Sequence, residues 1–112
     1  VPQRLGQARA LGLAMTGNKL PAAKAAEWGL IWDAVAEDVF ADAVQQLAEQ
    51  LATMPTKALV RTRQAMQAGR TNTLEQQLTL EGLYMRELGR SSDYVEGVSA
   101  FLEKRPPRFT GA

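Results

Sequence analysis

The sequence predicts an all-α chain of five or six helices. Three observations carry this. Apolar residues recur at helical spacing along most of the length, Gly and Pro punctuate the runs, and Thr73-Leu74-Glu75-Gln76 has the T-x-x-Q spacing of a capping box. Pro2 can open the first helix, on which Leu5, Ala8, Leu11, Gly12 and Met15 keep helical register. Thr16-Gly17-Asn18 then supplies residues that tolerate a left-handed C-cap. Pro21 fits the first turn of a second helix, where a missing N–H costs little, and Gly29 stops that helix after Trp28.

Leu30 to Val35 has no helical polar face, so it reads as a short extended connector, with a buried helical turn as the alternative. Glu37 and Asp38 precede the third helix, where acids complement the N-terminal end of the helix dipole. Phe40, Ala43, Val44, Leu47 and Leu51 form its apolar stripe, and Met54-Pro55 closes it. Thr56 can cap a fourth helix with Leu59, Thr62 and Met66 inward, ended by Gly69. The capping box starts the fifth, and Gly89 and Ser91-Ser92 mark the next turn. The last helix has Tyr94, Val98, Phe101 and Leu102 on one face, and Pro106-Pro107 terminates it.

The fifth helix is unusual. At 100° per residue, Leu74, Leu78, Leu80, Leu83, Tyr84, Met85 and Leu88 span roughly 220°, against about 100° for one core-facing stripe. Such a helix buries two sides, the second against another domain or subunit. The alternative is a central helix enclosed by its own neighbours. Glu81 falls inside the arc and calls for an inter-helix salt bridge, or a place near the edge where it reaches water.

Composition narrows the chemistry. The 112 residues amount to one domain, and 46% hydrophobic content is too high for a disordered chain. Lys and Arg number 13 against 12 Asp and Glu, so net charge supplies no reason to expect nucleic acid or membrane as partner. No Cys and no His are present, which excludes disulfides, thiolate nucleophiles, Ser-His pairs and most zinc sites. No apolar stretch approaches the roughly 20 residues of a membrane span, and no signal peptide is visible, so a cytoplasmic location is expected. The chain opens Val1-Pro2-Gln3 without Met and reads as a piece of something longer.

Two blocks resemble the C-terminal part of the crotonase (enoyl-CoA hydratase/isomerase) superfamily. The first runs from Gly6-Gln7-Ala8-Arg9-Ala10 through Thr16-Gly17-Asn18-Lys19-Leu20-Pro21-Ala22 to Ala25-Ala26-Glu27-Trp28-Gly29-Leu30. It is similar to the family's helix, T-G turn and A-x-x-x-G-L continuation. The second, Glu96 to Phe109, matches E-G-x-x-A-F-x-E-K-R-x-P-x-F, with nine fixed residue types in register over fourteen positions. Ala26 to Trp32 and Gly89 to Tyr94 look most like the ring-epoxyphenylacetyl-CoA isomerases of phenylacetate degradation.

The resemblance implies a crotonase-like fold of which residues 1–112 are the helical oligomerisation and CoA-lid domain. The catalytic spiral domain, with its oxyanion hole and acid-base carboxylates, has no counterpart here. No residue of this chain is therefore assigned a catalytic role, and neither a metal nor a tightly bound cofactor is expected. Acyl-CoA is the implied substrate of the parent enzyme, a hydratase or isomerase. The family's CoA-contacting Phe and Lys fall on Phe101 and Lys104, and an aromatic position of some relatives falls on Met85. Three residues apart on a helix, Phe101 and Lys104 would share a face. Phe101 would offer apolar surface to adenine and Lys104 a cation to the 3′-phosphate. The resemblance also implies a homo-oligomer, a trimer or hexamer for the parent, and the apolar faces predict a dimer or higher for the isolated chain.

A rival reading is a free-standing helical interaction module that uses the wide face of the fifth helix. Nucleic-acid binding through Lys57, Arg61, Arg63 and Arg70 is weaker, since those cations spread around their helix.

Overall fold

Helix-forming runs and their punctuation produce seven α-helices, and no strand, in a computed structural model that describes residues 2–112. They are α1 (Pro2–Leu5), α2 (Gln7–Thr16), α3 (Ala22–Glu27), α4 (Glu37–Ala52), α5 (Thr56–Ala68), α6 (Leu74–Leu88) and α7 (Ser92–Glu103). The all-α expectation holds. The first run is divided in two because Gly6 takes φ 77°, a region open to glycine at little cost. That break shifts the helical phase. Leu5 is buried, whereas Ala8, Leu11 and Met15, expected on the same face, are exposed.

Two units make up the chain, Val1–Gln45 and Gln46–Ala112. In the first, α2 ends as expected on Gly17, left-handed at φ 65°, whose N–H donates to Leu13 O at 3.0 Å. Pro21 sits one position earlier than expected, as the N-cap of α3 with ψ 146°. Helix α3 closes in a Schellman motif. Gly29 (φ 76°) donates to Ala26 O and Leu30 donates to Ala25 O, both at 2.9 Å. Residues 30–36 form an irregular connector rather than a helical turn. Trp28 packs between two cations, with Arg9 5.1 Å and Lys24 5.7 Å from its ring.

In the second unit, Pro55 rather than Thr56 is the N-cap of α5, and Thr56 begins the helix. Its covered face also differs from expectation. Leu59 is half-buried with Lys57, Ala58, Arg61, Ala65 and Ala68, while Thr62 and Met66 face out. The reason is the partner. Arg61 reaches Glu87 on α6 at 2.8 Å and lies 4.9 Å from the Tyr84 ring, and Lys57 reaches the same carboxylate at 3.4 Å. Gln77 donates from Nε2 to Ala65 O at 3.1 Å, over a face kept low by alanine.

Helix α6 starts with the expected capping box, Gln76 N to Thr73 Oγ1 at 3.3 Å and Thr73 N to Gln76 Oε1 at 2.9 Å. Glu81 is exposed and accepts from Gln77 Nε2 of its own helix at 2.8 Å. The expected inter-helix salt bridge is replaced by this i,i+4 bond, because the open side of α6 lets the carboxylate meet solvent.

The last nine residues fold back on the start of α7. Asp93 is 5% exposed, and its carboxylate accepts from Thr110 N at 2.7 Å, Thr110 Oγ1 at 3.3 Å and Gly111 N at 2.8 Å. Ala112 O accepts in return from Asp93 N and Ser92 Oγ, at 3.0 and 2.8 Å. Asp93→Ala strips two backbone N–H groups of their acceptor and should lower stability by about 3 kcal/mol. Urea unfolding would measure that loss. Hydrogen exchange should locate it at Thr110 and Gly111.

Candidate functional site

One side of α7 faces the returning tail and the other is bare. At helical spacing, Asp93, Glu96, Gly97 and Ala100 share the tail side, where Ala100 is 1% exposed. Opposite them, Tyr94, Val95, Val98, Phe101 and Leu102 are exposed. Tyr94, Val98, Phe101 and Leu102, expected on one face, together line an open apolar groove of about 500 Å³. Pro55, Ala58, Leu88 and Phe109 supply its other walls. Gly97 lies against the tail, where a Cβ at that position would sit 3.6 Å from the Phe109 ring, an ordinary van der Waals contact.

Helix α6 has a second bare face. Leu80, Tyr84 and Leu88 are half-buried on the side toward Arg61 and Gln77, whereas Leu74, Leu78 and Met85 are open to solvent. The two-sided apolar character read from the sequence is real, and one of its sides has no cover among the described residues.

The three predicted CoA contacts are distributed unevenly. Phe101 lies on the groove, 82% exposed, and Met85 lies on α6 outside the groove lining, 74% exposed. Lys104 corrects the spacing argument. Helix α7 ends at Glu103, and Lys104 follows with φ 54° and ψ 39°, so it does not continue the face that carries Phe101. Its ammonium has no ion-pair partner among the described residues.

Sequence reasoning missed the two acids that organise this corner, Asp93 and Glu96. Arg105 grips Glu96 with both Nη atoms, at 2.6 and 3.0 Å, and its Nε reaches Glu103 at 2.6 Å. The Arg108 N–H adds a third bond to Glu96 at 2.7 Å. The Arg105 guanidinium, helped by that amide, holds the Glu96 carboxyl at about 2, well below its ordinary 4.5, and Glu96 in turn raises Arg105. The available signal was an i,i+3 pair of acids on α7 followed by a cation-rich tail. Lys57 and Arg61, two of the cations considered for nucleic acid, are engaged by Glu87, whose own carboxyl is lowered chiefly by Arg61.

Residues 1–112 match a protein family described as enoyl-CoA hydratase/isomerase. The chain belongs to that family. It is 55% identical over 111 residues to the 1,2-epoxyphenylacetyl-CoA isomerase of Escherichia coli, covering 99% of this chain and 42% of that protein. It is 40% identical over 109 residues to the cyclohexa-1,5-dienecarbonyl-CoA hydratase of Thauera aromatica, covering 94% and 41%. The crystal structure of an enoyl-CoA hydratase from Mycobacterium tuberculosis superposes with a TM-score of 0.88 at 32% identity, covering 100% and 44%. The resemblance to ring-epoxyphenylacetyl-CoA isomerases drawn from Ala26–Trp32 and Gly89–Tyr94 thus extends over nearly the whole chain. The chain spans less than half the length of these relatives.

The Glu96 clasp has a definite pH dependence. Its folded pKa is depressed, so its stabilisation is complete above the ordinary carboxyl value of 4.5 and is lost as pH falls toward about 2. An NMR titration of the Glu96 carboxyl should give a midpoint near that lower value. Glu96→Gln should remove this component from the acid-unfolding profile.

Proposed function

We propose that this chain is the C-terminal helical domain of an acyl-CoA-processing hydratase or isomerase, where it joins subunits and covers the CoA nucleotide. The observation that carries this reading is the pair of uncovered apolar faces, on α6 and α7, in a chain that spans only 42% of a related acyl-CoA isomerase. Contiguous apolar surface of this kind is how one protein surface meets another. In this reading the chemistry resides in the remainder of the longer enzyme, and this domain supplies binding and assembly.

Within that role, Phe101 offers an open aromatic ring for adenine, with Met85 as a second apolar contact. Lys104 offers an unpartnered cation for the 3′-phosphate. Acyl-CoA is the substrate, and no tightly bound cofactor is invoked. The enzyme is taken to work in the cytoplasm. Among the described residues no helix is long and apolar enough to cross a membrane.

Two measurements test the two halves of the role. The isolated chain should scatter light as a dimer or larger at high concentration, and Leu78→Lys on the open face of α6 should shift it toward monomer. A chain that stays monomeric throughout would sink the assembly role. In the full-length enzyme, Lys104→Ala should raise KM for the CoA thioester about 10-fold with kcat nearly unchanged, as expected when a charge-assisted contact equal in ground and transition states is lost. An unchanged KM would remove Lys104 from the CoA site.

A further inference from the structure

Three helices end on a residue in the left-handed conformation, and they do so with different residues. Helix α2 uses Gly17 and α3 is closed by Gly29, both free of a Cβ. Helix α7 uses Lys104, the one non-glycine residue with positive φ among those described. The motif is otherwise the same as at Gly29. Lys104 N donates to Phe101 O at 3.3 Å and Arg105 N donates to Ala100 O at 3.0 Å, the two bonds of a Schellman turn. A side chain in this conformation is disfavoured sterically, and the strain persists only where the surroundings over-determine the backbone. The attraction of a cation to the helix C-terminus does not account for it. A cation within the last turn would satisfy the dipole without strain, and that turn of α7 holds none.

What over-determines Lys104 is the residue after it. Arg105 is gripped by both oxygens of Glu96 and by Glu103, and Arg108 N binds the same Glu96 oxygen as Arg105 Nη1. The chain is therefore held immediately after Lys104 and again four residues beyond it. With the Glu96 carboxyl held at about 2, the clasp stays ionised at any pH where an enzyme of this family would be assayed.

We infer that Glu96 and Arg105 are positioning residues, whose clasp forces Lys104 into its left-handed turn and so aims its ammonium at the phosphate of the bound nucleotide. This rests on the CoA reading proposed above for Lys104. What the turn sets is the point and direction at which the Lys104 side chain leaves the backbone, while its four-carbon stem supplies the reach.

A double-mutant cycle in the full-length enzyme tests this, with KM and kcat measured for an acyl-CoA substrate. Glu96→Gln should raise KM about fivefold with kcat within about twofold, and the same change in a Lys104→Ala background should alter KM by less than about 1.5-fold, since residues acting through one another are not additive. Lys104→Gly should raise the melting temperature by roughly 2 °C, through relief of the strained turn, while raising KM as Lys104→Ala does. If Glu96→Gln fails to fold, Arg105→Lys takes its place, keeping the charge but not the two-point grip. A Glu96 effect on KM that persists undiminished without the Lys104 ammonium overturns the inference while leaving the CoA reading intact. If Lys104→Ala leaves KM unchanged, the CoA reading itself falls, and the inference with it.

Discussion

Much of the second unit depends on one buried carboxylate. Asp93 stands in the first turn of α7, where the N-terminal end of the helix favours negative charge, and it draws in the N–H groups of Thr110 and Gly111. Those bonds turn the tail back along its own helix. The returning tail seats Phe109 beside Gly97 and brings Gly111 against Thr56 at the start of α5. The same return leaves room for the Arg105 and Arg108 bonds to Glu96. One ionic group thus ties the start of α7, the tail and the start of α5 into one assembly.

Polar bonding plays so large a part because enclosed apolar packing is scarce. Leu5, Ala10, Ala25 and Ala100 are the buried apolar residues among those described, and Asp93 is the buried polar one. Helical order arises locally, from caps, glycine stops and i,i+4 bonds, and the apolar stripes it creates remain largely uncovered. Helix α4 shows this, with Phe40, Val44 and Leu51 on a regular stripe and all three exposed. In the proposed role as one domain of a longer enzyme, such a stripe would be covered by another protein surface.

Family membership was legible from the Glu96–Phe109 block, and the structure supplies a physical reason for several of its residue types. Glu96 and Arg105 form the clasp, Gly97 lies beside the Phe109 ring, and Ala100 is the most deeply buried of the set. Phe101 stands apart from them, since its side chain is exposed on the groove. The block therefore mixes residues that build the corner with one the corner presents. The spacing argument for Phe101 and Lys104 failed for a local reason. It assumed that the helix continued through Lys104, and nothing in a lysine announces a left-handed stop.

The sequence by itself determined the helices and their ends wherever the cause was local. The capping box at Thr73, the stop at Gly17 and the acids opening α4 act within one turn of chain, so their residue types suffice. It also determined that α6 carries too much apolar surface for one neighbour. Tertiary structure alone decided which stripe is covered, as the outward turn of Met66 and the break at Gly6 show. It decided too that Asp93 and Glu96, two unremarkable acids on a helix, meet amides and an arginine from 9 to 18 residues away. Periodicity reports which residues share a face, but only the return of the chain determines what that face meets.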